Sequence, residues 1–374
     1  MGDEEMNNII QWLAVVIDIR QQTKVKHLMK DIIAIVFFAQ LANANEWIEI
    51  HLFALSNEKF LRKYLELPNG IPSHDTIQRV FAMVSPEYLQ NFHKRWNEVM
   101  SGSMGNKVRR VLALDGKTQR GNGNANQKAN HIVSIVDEDG FCLGEELVNE
   151  KSNEITAIPE LLCALNIKGH IITADAMGCQ TEIVKLIRKK QADYLLALKG
   201  NQGTLYDDIK LYFSDSELLN KCEYTISTEK ARNCLEKREY WQTDDIGWLS
   251  QRKKWIGLKS VIMTKNTIIT KSGETKTEVR YFISSLPIDI REAARAIRGH
   301  WMVESYHWHL DVTFREDENR TLDKVAAFNL NIMKKLALNT LRFIDVGVKG
   351  ISLKGKRYMI CANFERYFDI IMAL

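Results

Sequence analysis

Two aspartates occupy matching places after apolar stretches of the sequence. Asp115 ends the run VLALD and precedes a glycine, and Asp175 ends the run HIITAD and precedes an alanine. Ligands of α/β sheets gather outside the carboxyl ends of the strands, so carboxylates delivered by neighbouring strands would converge there. Converging carboxylates repel each other, and an all-oxygen site suits Mg²⁺ or Mn²⁺. The competing interpretation is two strand-terminal turns, in which aspartate is common.

A third acid, Glu304, lies on a predicted helix near the end of the chain. Helical spacing predicts an apolar stripe made of Ile297, Trp301, Glu304, Trp308 and Val312. A carboxylate buried in such a stripe needs a partner, because an unpaired buried charge is costly. A neighbouring arginine or histidine (His300 or His307) would supply one. A metal ion shared with Asp115 and Asp175 is the alternative that gives all three acids one purpose.

Basic residues are expected around these acids. The loop GKTQRGNGNANQKAN carries Lys117, Arg120 and Lys128 with no acid, which predicts a mobile, electropositive segment. Lys199 and Asn201 follow the strand DYLLAL on the same rim. Acids for metal ions surrounded by bases for phosphates are the layout expected for phosphodiester chemistry. Four more basic clusters, KVRR, IRKK, QRKK and KGKR, are each more typical of a solvated face.

The first 104 residues read as an all-helical domain. Apolar residues recur at helical spacing through 28–41, 47–55 and 88–99. After the turn LPNGIP, Ser73 is the predicted N-cap of a short helix. That helix either reads DNA through His74, Thr76 and Arg79 or is an ordinary packing helix.

The remaining chain predicts an α/β fold. Residues 105–204 follow the order β-β-β-α-β-α-β, which indicates a mixed sheet with helices on both faces. Residues 205–286 form a β-rich insertion with the predicted strands YTIS, KSVIMT, NTIIT and VRYFISSL. Residues 287–345 contain the helices of the core with Glu304, and 346–374 form a tail of mixed character.

Composition sets broad limits on the function. The chain has 374 residues, 45% hydrophobic and 26% charged, which is typical of a soluble protein of two or three domains. A net charge of +4 permits a nucleic-acid partner without requiring one. The acidic start is unlike a signal peptide, and the longest apolar run is too short for a bilayer. Six scattered cysteines without a CxxC pair fit a reducing cytoplasm, so we expect a cytoplasmic protein without a membrane partner.

Several motifs together resemble one group of insertion-sequence transposases. It is the DDE-type group that includes the H-repeat-associated proteins of bacterial Rhs elements. The resemblance extends from Asp18 to Phe343, in the order of that group, and it is carried by LPNGIPSHDT, LALDGKT, KSNEITAIPELL, IITADAMGCQ, DYLLALKGNQG, IRGHWMVES and HWHLDVTFREDENR.

The resemblance implies a ribonuclease-H-like core that uses Asp115, Asp175 and Glu304 as catalytic residues and metal ligands. Two Mg²⁺ or Mn²⁺ ions would assist water in cutting a phosphodiester at the end of the element, and the freed 3′-hydroxyl would then attack target DNA. The implied partner is double-stranded DNA, held by a homodimer associated with the nucleoid. Lys199 and His300 occupy motif positions and are candidate DNA contacts.

The stretch RTLDKVAAF stands where this group has a basic Arg-Gly-Asn segment. The sequence departs from the group at two further places. The insertion has Arg232, Asn233 and Cys234 where the group has His-Gly-Arg, and Ser305 follows Glu304 where the group has asparagine. A catalytically silent DNA-binding remnant is therefore the alternative to an active transposase. A third hypothesis, a metal-dependent phosphohydrolase, rests on the LDGKT stretch alone and leaves the helical amino-terminal region unexplained.

Overall fold

A nine-stranded mixed sheet forms the centre of the computed structural model, which describes residues 15–104, 109–148, 153–231 and 234–372. The strands are β1 (Val111–Thr118), β2 (His131–Asp137), β3 (Cys142–Leu147), β4 (Ile171–Ala174), β5 (Asp193–Leu198), β6 (Glu223–Ala231), β7 (Cys234–Thr243), β8 (Ser260–Thr270) and β9 (Thr275–Ser284). Their order across the sheet is β3-β2-β1-β4-β5-β9-β8-β7-β6. The predicted mixed sheet with helices is confirmed at this level.

Thirteen α-helices surround the sheet in the described part of the chain. They are α1 (Met29–Leu41), α2 (Trp47–Ser56), α3 (Glu58–Leu61), α4 (His74–Phe81), α5 (Pro86–Met104), α6 (Glu154–Ala164), α7 (Thr181–Lys189), α8 (Gly203–Ser214), α9 (Ser216–Leu219), α10 (Ile290–Trp308), α11 (Lys324–Phe343), α12 (Leu353–Ala362) and α13 (Phe364–Met372). Within the described residues, no helix combines the length and apolarity needed to cross a bilayer.

The central strand β1 is buried on both faces. Ala113 packs in a cluster with the amino-terminal helices, α10 and α11, whereas Leu112 and Leu114 pack on the other face with α6, α7 and α8. Strands covered on both faces read as continuous apolar runs, which explains the sequence VLAL. The amino-terminal helices therefore share their core with α11 and with one face of the sheet.

Polar contacts also join the amino-terminal helices to the later part of the chain. The indole of Trp96 on α5 donates to the Thr340 hydroxyl of α11 at 2.9 Å, and the indole of Trp47 donates to Thr321 at 2.7 Å. Both indoles are buried, so each needs such an acceptor.

The β-rich segment differs in detail from its prediction. Its four strands extend the same sheet, because β9 pairs antiparallel with β5. The stretches KSVIMT and NTIIT, predicted as two strands, form the single strand β8. Strand β7 was not predicted, because its many charged residues hide its alternation. The helices α8 and α9, which precede the strands, were not predicted either.

Candidate active site

Asp115 and Asp175 lie at one edge of the sheet. β1 and β4 are parallel neighbours, with Leu114 opposite Ala174, so each aspartate follows one member of a paired row. Asp175 stands in a turn, where one carboxylate oxygen accepts from the backbone N–H of Met177 at 2.9 Å. Asp115 does not lie in a turn, because β1 continues beyond it and pairs it with Ser134 of β2. The turn interpretation therefore accounts for Asp175 only.

Helix α10 brings Glu304 to the same edge. Asp289 caps its amino terminus by accepting from two backbone N–H groups. Gly299 allows close contact with β1, since a Cβ atom there would lie 3.0 Å from a methyl carbon of Val111. The helix continues into a π-helical turn, His309–Thr313, a local irregularity that is frequent at functional sites.

The three acids face one cleft of about 470 Å³ between α10 and the sheet. Burial, followed by the nearby charge of Asp115, raises the pKa of the Glu304 carboxyl. The Nδ1 atom of His307 lies 3.3 Å from a carboxylate oxygen of Asp115. The Nδ1 atom of His300 lies 3.0 Å from the Thr173 hydroxyl, and burial lowers the pKa of this imidazole. The two histidines thus link α10 to β1 and β4.

The predicted apolar stripe of α10 is wrong. Trp301, Trp308 and Val312 are 40%, 55% and 49% exposed, and Glu304 lies on the same exposed side of the helix. The helix instead buries a face that comprises Ala293, Ala296, Ile297, Val303, Tyr306 and Leu310. The predicted stripe and the buried face both recur at helical spacing. The face that contains Ala293 and Ala296 lets the helix lie closer to the sheet, because alanine side chains are small.

Several cations line the cleft. Lys199 and Lys265 are exposed there, and neither has an ion-pair partner in the described structure. Arg280 pairs with Glu278 at 2.8 Å and lies over the Trp301 ring at 5.6 Å. The sequence analysis missed Lys265 and Arg280, because they belong to the β-rich segment and approach the acids only through the β5–β9 pairing.

The donor set fits a divalent cation by its chemistry. Asp115, Asp175 and Glu304 supply hard oxygen ligands, and a cation would offset both the burial and the repulsion from Asp115 that raise the pKa of Glu304. Within the described residues, no three His, Cys, Asp or Glu side chains lie close enough together to hold a metal ion as they stand. An ion held by all three carboxylates at once would require them to move toward each other.

Asn201 and Lys117 both make contacts within the protein. The amide of Asn201 donates to the carbonyl of Ala176 at 2.6 Å and so braces the turn after Asp175. Lys117 is only 11% exposed, and its ammonium is 2.6 Å from Asp311, 3.1 Å from Glu316 and 3.2 Å from Asp317. Three carboxylates surround its charge within the protein, and its contact with DNA stays a prediction.

The loop after β1 is also more ordered than predicted. The side chains of Gln119, Asn122 and Asn130 are buried, and an oxygen of the Asn122 amide accepts from the backbone N–H of Asn130 at 2.9 Å. Amide hydrogen bonds replace the apolar contacts that the sequence lacks. Arg120 and Lys128 remain exposed on this loop, and Arg120 extends into solvent beside Asp317.

Helix α4 begins at its predicted N-cap, with the Ser73 hydroxyl accepting from the backbone N–H of Thr76. Its Ile77, Val80 and Phe81 are buried, while His74 and Arg79 are exposed. The groove beside His74 also contains acids, namely Glu46, Asp317 and Glu318. These acids match DNA phosphates poorly, so the packing interpretation of α4 is favoured.

Gly116 separates Asp115 from a second polar cluster on the opposite face of β1. In that cluster, His131 lies 2.8 Å from the Thr118 hydroxyl and 2.6 Å from the Glu154 carboxylate. A Cβ atom at Gly116 would lie 2.2 Å from the Glu154 oxygen and 2.6 Å from the His131 ring. No side chain fits there unless this pair separates.

We therefore expect Gly116→Ala to lower the free energy of unfolding by about 1–3 kcal/mol, the usual cost of overpacking. Urea denaturation followed by circular dichroism measures the change. Gly200→Ala is the matched control in the cleft, because no atom lies within 4 Å of its added Cβ. Equal stability of the two variants would contradict the crowding argument.

Two of the departures from the family pattern fall in different surroundings. Ser305 is exposed on α10 beside Glu304, and Cys234 begins β7. Arg232 and Asn233 lie outside the described residues.

Comparison with known families gives two adjoining matches. Residues 106–340, more than half of the chain, match the family described as "Transposase DDE domain", and residues 10–97 match "DDE_Tnp_1-associated". The first match contains Asp115, Asp175 and Glu304.

Curated relatives agree with these matches. "Putative transposase YncI" of Escherichia coli O157:H7 is 36% identical over 380 residues, covering 98% of this chain and 95% of the relative. "H repeat-associated putative transposase YhhI" of Escherichia coli K12 is 35% identical over 370 residues, covering 96% and 97%. "Inactive transposase YbfQ" of the same strain is 36% identical, but it corresponds to only 20% of this chain.

Proposed function

Because this chain belongs to the DDE transposase family, we propose that it is a DNA transposase that cuts at the ends of an insertion sequence and joins the freed 3′-hydroxyl to target DNA. The observation that carries the proposal is the meeting of Asp115, Asp175 and Glu304 at one cleft. Exposed Lys199 and Lys265 in the same cleft suit a phosphodiester substrate.

The three carboxylates are proposed to hold Mg²⁺ or Mn²⁺, in two sites. When bound, such ions lower the pKa of the attacking hydroxyl or water and stabilise the leaving oxygen. The chain itself contributes positioning. His307 orients Asp115, and Asn201 braces the turn that carries Asp175. Burial favours the neutral form of the His300 imidazole. The contact of this imidazole with the Thr173 hydroxyl anchors α10 to β4.

We further propose that β1 to β5, with α6, α7 and α10, are a ribonuclease-H-like core and that β6 to β9 are its insertion. The parallel β1–β4–β5 arrangement next to the antiparallel β2 and β3 supports this assignment. A homodimer is the proposed acting unit, because two element ends must be held together for joining. The place of action would be the nucleoid in the cytoplasm.

The test is cleavage of duplex DNA that carries the inverted repeats flanking the gene. We expect Mg²⁺ or Mn²⁺ to support strand-specific nicking at the repeat ends and EDTA to abolish it, because phosphodiester cleavage of this class depends on the metal ions. Gel analysis of end-labelled strands measures the result.

The same assay separates the rival hypotheses. Binding of the repeats without nicking in either metal would indicate the silent remnant, which the altered residues Cys234 and Ser305 motivate. Hydrolysis of small phosphate esters with no effect on DNA would indicate the phosphohydrolase and overturn the proposal.

A further inference from the structure

In two of the four basic clusters, Arg109, Arg110, Lys356 and Arg357 contact other parts of the protein, whereas Lys354 is exposed. In KVRR, Arg109 pairs with Asp193 at 2.8 Å and Arg110 pairs with Asp137 at 2.6 Å. In KGKR, Lys356 donates to the carbonyl of Leu341 at 2.8 Å, and the guanidinium of Arg357 is completely buried. These cations have structural partners and are not free for a ligand.

The fold brings the other two clusters together. IRKK ends α7, and QRKK precedes β8 by a short loop whose Gly257 lies against the side chain of Arg188. Arg188 turns inward to Asp193, and Lys190 turns inward to the carbonyls of Cys163 and Leu165 at the end of α6. The ends of α6 and α7 and the loop before β8 thus form one surface.

We name this surface the basic edge. Its exposed cations are Lys168, Lys189, Arg252, Lys253, Lys254 and Lys259. In the part of the chain that the structure describes, none of the six is held by an ion pair. Among the described residues, the exposed acids Asp244 and Asp245 follow β7 next to the start of β8, and Asp215 lies near the same tyrosine, Tyr212, as Asp245. These acids are fewer than the six cations. The local charge is therefore strongly positive although the whole chain carries only +4.

The basic edge lies at the opposite end of the sheet from the acids. It borders the starts of β4 and β5, whereas Asp175 and Lys199 follow the ends of these strands. At about 3.3 Å per residue, the strands separate the basic edge from the cleft by roughly 15–20 Å. It is a surface distinct from the cleft.

We propose that the basic edge is a second DNA-binding surface that holds the phosphate backbone of a duplex segment other than the one in the cleft. The inference rests on the proposed transposase function and deepens it by assigning a further DNA contact. Unpaired lysines bind phosphates by releasing counterions and do not read bases. The contact is therefore independent of DNA sequence and sensitive to salt.

The test compares two full-length variants with the same change in charge. The first carries Lys189→Gln, Lys253→Gln, Lys254→Gln and Lys259→Gln. The control carries Lys24→Gln, Lys59→Gln, Lys349→Gln and Lys354→Gln, four exposed lysines scattered over the rest of the molecule. Binding of a duplex that contains the repeat end and flanking DNA is measured between about 50 and 200 mM KCl, the range over which phosphate contacts change affinity strongly.

We expect the basic-edge variant to bind about tenfold more weakly than the control, with a slope of log affinity against log salt reduced by about two to four units, since each phosphate contact contributes ~0.9. Equal affinity and slope in the two variants would overturn the inference and leave the transposase proposal intact, provided that the unmodified chain binds and nicks this DNA. Failure of the unmodified chain to bind DNA at all would overturn both.

Discussion

We expect Asp115→Asn to slow metal-dependent nicking of the repeat ends by at least about 10³-fold. Such a loss corresponds to several kcal/mol of transition-state stabilisation, the scale of a metal-ligand contribution. Asparagine has the same shape as aspartate and keeps an oxygen toward His307. The change in cleavage rate therefore reports the loss of the negative charge alone. Single-turnover cleavage of end-labelled DNA measures the rate. Glu304→Gln is expected to behave in the same way.

The specificity of this result rests on a comparison within the cleft. Glu278 also lines the cleft, but it pairs with Arg280 at 2.8 Å. Glu278→Gln should therefore slow cleavage by less than about tenfold, the size expected of an exposed ion pair worth up to 1 kcal/mol. DNA affinity should not fall in Asp115→Asn, because removing a negative charge does not weaken attraction to phosphates. A cleavage loss in Glu278→Gln as large as that in Asp115→Asn would sink the assignment of the three acids.

Local sequence patterns were sufficient to predict many of the strands and helices. The apolar runs VLAL and HIITA predicted strands that are buried on both faces, and Ser73 predicted a helix start. The β-rich segment was harder, because β7 carries alternating charges whose partners lie across the sheet. Arg238 of β7, for example, pairs with Glu229 of β6 at 3.0 Å. Such a strand is specified by its neighbours and not by its own hydrophobicity.

The sequence proposed the three candidate acids, whereas several of their neighbours in the cleft came only from the structure. Asp115 and Asp175 were found from strand context, and the β1–β4 pairing brings them to one edge. Glu304 was found for a wrong reason, since it lies on the exposed side of α10 and not in a buried stripe. Helical spacing identifies faces but does not say which face meets the sheet when both carry apolar residues.

The environment of Lys117 differs most from the one that the sequence predicted. It lies two positions after Asp115 on β1, and its ammonium is shared by Asp311 in the π-helical turn after α10 and by Glu316 and Asp317. Burial alone would raise the pKa of Glu316, but the charges of Lys117, Lys334 and Lys335 lower it to about 2. The buried carboxylate thus stays charged and depends on these cations.

Lys117→Met should lower the free energy of unfolding by about 3–5 kcal/mol, because it leaves a buried carboxylate without its nearest cation. Urea unfolding at neutral pH measures the change. Lys128→Met, an exposed position in the same loop, should stay within about 0.5 kcal/mol of the unmodified chain. Adding Glu316→Gln to Lys117→Met should recover part of the loss, since it removes the uncompensated charge. Unchanged stability together with weakened DNA binding in Lys117→Met would contradict this role and restore the DNA contact that the sequence predicted.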